Sequence, residues 1–104
     1  MPPRRVHEHD EILGLNVRLF VRWVAERDIV SYAVMLLAEV DGGWRTVVLF
    51  DCSHGDRNDR PVHVRRPQGG AAETFHHGTP SEAMNDAIDL IKSTCERMIE
   101  RWRQ

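Results

Sequence analysis

Residues 29–52, IVSYAVMLLAEVDGGWRTVVLFDC, contain the feature that decides the fold. The apolar runs on either side of Asp41 show no alternation, a pattern shared by a strand covered on both faces and by a buried helix. Asp41-Gly42-Gly43 between them favours strands, because glycine accepts the positive φ of a tight hairpin and Asp-Gly between apolar runs is a strong hairpin signal. Residues 29–40 and 44–52 are therefore expected to be two central antiparallel strands. The second should carry Val47 and Leu49 on one face and Val48 and Phe50 on the other.

Moving outward to the N-terminal side, Val17, Leu19, Val21 and Trp23 alternate with Arg18, Phe20 and Arg22, the period of a strand with one buried face. Glu26-Arg27-Asp28 makes a polar turn to the next strand. Residues 1–11, MPPRRVHEHDE, bury too little apolar surface to offset the entropy of ordering them, and are expected as a mobile tail ahead of one domain at 12–104. His7 and His9 in that tail are read as scattered polar residues, not as metal ligands.

On the C-terminal side, a charged loop is expected to end near Arg60. A strand at 61–66 follows, with Val62 and Val64 inward and His63 and Arg65 on the other face. Pro67-Gln68-Gly69-Gly70 turns the chain, and residues 71–77 form a short further strand or an extended approach to a helix. That helix opens at Thr79-Pro80-Ser81-Glu82, which places threonine at the N-cap, proline at the first helical position and glutamate at the third, a capping box. Ala83, Met84, Ala87, Ile88, Ile91, Cys95, Met98, Ile99 and Trp102 then recur at helical spacing along one stripe.

The fold class that follows is α+β: an antiparallel meander of three to five strands, then one long C-terminal amphipathic helix packed on one face. One helix covers only one side of a sheet whose central strands are apolar on both. A second copy of the chain is the simplest cover, so a homodimer is expected.

At 104 residues, with 41% hydrophobic and 29% charged, the chain suits one globular domain, and its net charge of −2 lacks the basic excess of a duplex-DNA binder. Its two cysteines, Cys52 and Cys95, show neither metal-site spacing nor disulfide density, which fits a reducing, cytoplasmic setting. No membrane span is expected, since no apolar run approaches the ~20 residues that one needs.

Chemistry concentrates where the central strand ends, in Asp51-Cys52-Ser53-His54-Gly55. His54 can act as base or acid near neutral pH, and Asp51, three residues earlier, can orient it. His63 returns on the neighbouring strand, with Arg65 two residues on. Two histidines, a carboxylate and an arginine suffice for metal-independent cleavage of RNA. One imidazole takes the 2′-hydroxyl proton, the other protonates the leaving 5′-oxygen, and arginine stabilises the pentavalent phosphorus.

Arg57 and His77 are expected at the substrate with Arg65, while Asp56, Asp59 and Arg60 are read as solvated turn residues. Residues 56–60, DRNDR, fail as a calcium loop because Arg60 falls where a ligand is needed. His76 and His77 precede the helix and are either part of the same site or a polar lead-in. Together with His54, His63 and Asp51 they would supply donors for zinc or manganese, but at no standard zinc spacing. The favoured reading carries no metal and no cofactor. The alternatives are a non-catalytic dimeric interaction module using the same loop as its recognition surface, and a histidine-rich metal-binding protein.

Val48-Leu49-Phe50-Asp51-Cys52-Ser53-His54-Gly55, followed by Val62-His63-Val64, resembles the TumE-like small toxins, with their hydrophobic-Asp-x-x-His-Gly signature and a histidine shortly downstream. The resemblance covers residues 32–70, and Asp51, His54 and His63 are the matching positions. It implies a toxin component of a toxin–antitoxin pair, an RNA-directed or otherwise growth-inhibiting activity, and a protein antitoxin as partner. The charged insert at 56–60 is the point of departure.

Overall fold

The computed structural model describes residues 3–54, 57–61, 72–76 and 78–103. Among them are strands β1 (Arg5–Gly14), β2 (Val17–Ala25), β3 (Ile29–Val40), β4 (Gly43–His54), β5 (Arg57–Pro61) and β6 (Ala72–His76), then one helix, α1 (Pro80–Arg103). The strands form one antiparallel sheet in the order β1-β2-β3-β4-β5-β6, so each pairs only with its neighbours in sequence. The α+β meander is as expected, with six strands instead of three to five.

The central hairpin forms as its turn residues dictate. Asp41 and Gly42 adopt φ of 52° and 81°, and Val40 pairs with Gly43 across them. Positive φ at both central positions matches the twist of the flanking strands.

Residues 5–11 are not a tail, which corrects the expectation for 1–11. They belong to β1, which pairs along β2 from Arg5↔Ala25 to Gly14↔Val17. This edge strand is held by cross-strand side-chain pairs more than by burial. His7 stacks on Trp23 with ring centroids 5.2 Å apart, Arg18 forks onto Asp10, and Arg4 bonds Glu26 at 2.9 Å. A low-hydrophobicity criterion is blind to partners that lie a strand away.

The core lies between the sheet and α1. Leu19 and Val21 of β2, Tyr32, Val34, Leu36 and Ala38 of β3, and Phe50 and Cys52 of β4 are buried against Ala83, Met84, Ala87, Ile91 and Ile99 of α1. At 24 residues, α1 is ~36 Å long, close to the ~40 Å of the 12-residue β3 that it overlies. Ala83 and Ala87 let its first turns approach the sheet closely.

The strand β4 departs from simple alternation. Leu36 pairs with Val48 but Leu37 pairs with Thr46, so Val47 is an extra residue, a β-bulge. The bulge turns Val47 into the core, where it is 4% exposed on the same side as the fully buried Phe50. The expected partition, with Val47 and Leu49 sharing a face, holds only for an unbulged strand.

The helix opens as its sequence specifies. Thr79 Oγ1 accepts the Glu82 N–H at 3.2 Å, and the Glu82 carboxylate accepts from the Thr79 N–H at 3.3 Å and from its hydroxyl at 2.9 Å. These bonds hold the Glu82 carboxyl below its ordinary value. No helix among the described residues is long and apolar enough to cross a membrane.

Candidate functional site

Strand β4 carries the candidate residues toward the end of the sheet where β6 stops and α1 begins. It stays extended through His54, and β5 starts at Arg57, not after Arg60. Asp59 and Arg60 are therefore strand residues, which corrects their reading as turn residues. Of the strand expected at 61–66, Pro61 is described, as the last residue of β5, and residues 62–66 lie outside the described residues. Pairing to β4 on one side and β6 on the other satisfies the β5 backbone despite its polar side chains.

Register brings a short row of polar positions together. His54 pairs with Arg57, and the adjacent Asn58 pairs with His76 of β6. Histidine positions on β4 and β6 thus flank β5 across two strand spacings, ~10 Å. His63, Arg65 and His77 lie outside the described residues.

Asp51 pairs with Ala33 and with Asp59. Cys52, its neighbour, is buried toward α1, with Sγ 3.9 Å from the Val30 carbonyl. Alternation therefore sets Asp51, which is half-buried, on the face away from α1. The step from Asp51 to His54 is spanned by extended chain, ~10 Å between Cα atoms. Burial pushes the Cys52 thiol above its ordinary value, so it stays protonated and unreactive.

His76 is bonded through both of its ring nitrogens. Its Nδ1 accepts the Gly78 N–H at 2.8 Å, so in the neutral ring Nε2 carries the proton and donates to Asp86 of α1 at 2.8 Å. Both ring nitrogens are engaged in tying the end of β6 to the helix. Of its two earlier readings, the polar lead-in to the helix accounts for these bonds. No sequence periodicity announces the pair, since His76 and Asp86 are ten residues apart on different elements.

At the opposite edge, Glu11 accepts from His9 and from Lys92 of α1, both at 3.2 Å, and these bonds hold its carboxyl below the ordinary value. Among the described residues, no group of three or more His, Cys, Asp or Glu side chains is arranged to hold a metal ion.

A family model described as a domain of unknown function (DUF7718) matches residues 6–104. Comparisons with curated proteins and with solved structures give no match.

Proposed function

The chain belongs to the DUF7718 family, and from that starting point we propose that it is a small metal-independent ribonuclease, the toxin component of a toxin–antitoxin pair, with His54 and His63 as its acid–base pair. The observation that carries this reading is the pairing of His54 with Arg57 at the β4–β5 end of the sheet, which sets an imidazole position beside a cationic one. His63 follows two residues after the end of β5. The resemblance of residues 48–55 and 62–64 to TumE-like toxins points the same way.

In this reading one imidazole removes the 2′-hydroxyl proton as the 2′-oxygen attacks phosphorus. The other, protonated, delivers its proton to the departing 5′-oxygen, leaving a 2′,3′-cyclic phosphate and a 5′-hydroxyl. Arg57 and Arg65 stabilise the charge on the pentavalent phosphorus. His76 is excluded as acid or base because both its nitrogens are committed to Gly78 and Asp86.

Labelled RNA incubated with purified protein, with and without chelator, tests the proposal. Cleavage should survive chelation, fall roughly 100-fold or more in His54→Ala and in His63→Ala, and persist in His76→Ala at temperatures where that variant is folded. RNA bound without turnover, or cleavage indifferent to both His54 and His63, would overturn it. The non-catalytic dimeric module is the second reading, favoured by the apolar face of the sheet opposite α1.

A further inference from the structure

We propose that the sheet face opposite α1 is the interface of a homodimer, with the two-fold axis running along β3 and Arg22 of each copy facing Asp51 of the other. This inference is independent of the catalytic reading, since it uses neither His54 nor His63.

The register defines what this face presents. One row across the sheet is Asp10, Phe20, Met35 and Leu49; the next is Glu8, Arg22, Ala33 and Asp51. Among the described residues, no element packs on this side. Phe20, Met35 and Leu49 are half-buried. The next row is Ile12, Arg18, Leu37 and Thr46, so Arg18, with its guanidinium 4.8 Å from the Trp44 ring centroid, interrupts the apolar residues toward Trp44 and Ile12, which are 41% and 80% exposed. Beside them lies an open groove of about 440 Å³ lined by Ile12, Gly14, Leu15, Asn16, Val17, Arg18 and Trp44.

The occupant follows from charge pattern and area. A two-fold axis along β3, lying between two stacked sheets, carries β2 of one copy over β4 of the other and returns each row onto itself near the axis. Met35 then meets Met35, Ala33 meets Ala33, and Phe20 meets Leu49. Arg22 meets Asp51 on both sides, so the charges that flank the small Ala33 are complementary under this one operation. Sheets stacked face to face keep their strands within ~30° of each other, which leaves these central rows close enough to meet.

Under this operation β2, β3 and β4 of one copy lie over β4, β3 and β2 of the other, and three strands of 9 to 12 residues offer roughly 450–550 Å². Two such faces bury roughly 900–1,100 Å², at the ~1,000 Å² that a specific interface needs. The β1 edge resists the competing mode: it carries Arg5, His7, Glu8, His9, Asp10 and Glu11, and a charged edge strand resists pairing with another chain.

Sedimentation equilibrium from 1 to 100 µM tests the proposal, with circular dichroism confirming that each variant is folded. The unmodified chain should be a dimer. Met35→Glu should raise the dimer dissociation constant at least ~30-fold. Arg22→Asp and Asp51→Arg should each weaken association roughly tenfold or more, and the double variant should recover most of it. An unmodified chain that is monomeric at 100 µM, a Met35→Glu variant that associates normally, or a double variant no better than either single one would each overturn it. Loss of RNA cleavage in His54→Ala with the dimer intact keeps this test separate from that of the catalytic reading.

Discussion

The two faces of the sheet are built from the same kinds of side chain and meet different fates. Leu19, Val34, Leu36 and Phe50 are fully buried under α1, whereas Phe20, Met35, Leu37 and Leu49, one position along on the same strands, are half-buried. Among the described residues, what separates them is the parity of the strand and the helix that follows the sheet. Apolar composition therefore shows that a surface needs cover, while topology shows which surface the chain covers by itself.

The largest effect should come from the same truncation made on each face. Phe50→Ala opens a cavity in the packed core and should cost about 3–5 kcal/mol, whereas Phe20→Ala should cost less than about 1.5 kcal/mol at dilutions where the copies are apart. Urea unfolding at sub-micromolar concentration measures both, and equal losses would break the distinction. Next comes thiol accessibility. Cys52 is 3% exposed with its thiol held protonated, and Cys95 is half-buried. Cys95 should react with a disulfide reagent at least ~100-fold faster than Cys52 in the native protein. Mass spectrometry of the partly labelled chain reads the order directly.

A smaller effect belongs to the start of the covering helix. Thr79→Ala removes the acceptor for the Glu82 N–H and should cost about 1 kcal/mol, lowering Tm by ~4–8 °C. The smallest effect is the pH dependence of that cap. Because the folded-state value of Glu82 lies below the ordinary 4.5, its charged form adds stability that is present above about pH 4.5 and lost as pH falls through the folded-state value. Tm measured from pH 6 to 3 should separate the unmodified chain from Glu82→Gln at the upper end, with the two converging in acid.

What could be read from the sequence was whatever is encoded locally. Asp41-Gly42-Gly43 and Thr79-Pro80-Ser81-Glu82 are short motifs whose backbone demands are met by their own residues, and both formed as read. β1 was missed because its stabilisation comes from Trp23, Arg18 and Glu26 across the strand, which no window over residues 1–11 contains. The Val47 bulge was missed for a related reason: a register shift is a property of a strand pair, not of one strand. At the site, His54 was correctly placed where a central strand ends. The face taken by Asp51 and the bond between His76 and Asp86 required the fold.

The strictly sequential order of the sheet bears on how the chain folds. Because every strand pairs with its immediate neighbour in sequence, no pairing within the β1–β4 meander waits on the closure of a long loop, and contact order is low for a protein so rich in strand. Assembly can zip outward from the Asp41–Gly42 hairpin, with β1 arriving after β2 has docked on β3. The five strand pairings of this sheet form one at a time, and most of the search for the native topology is finished before α1 settles on it.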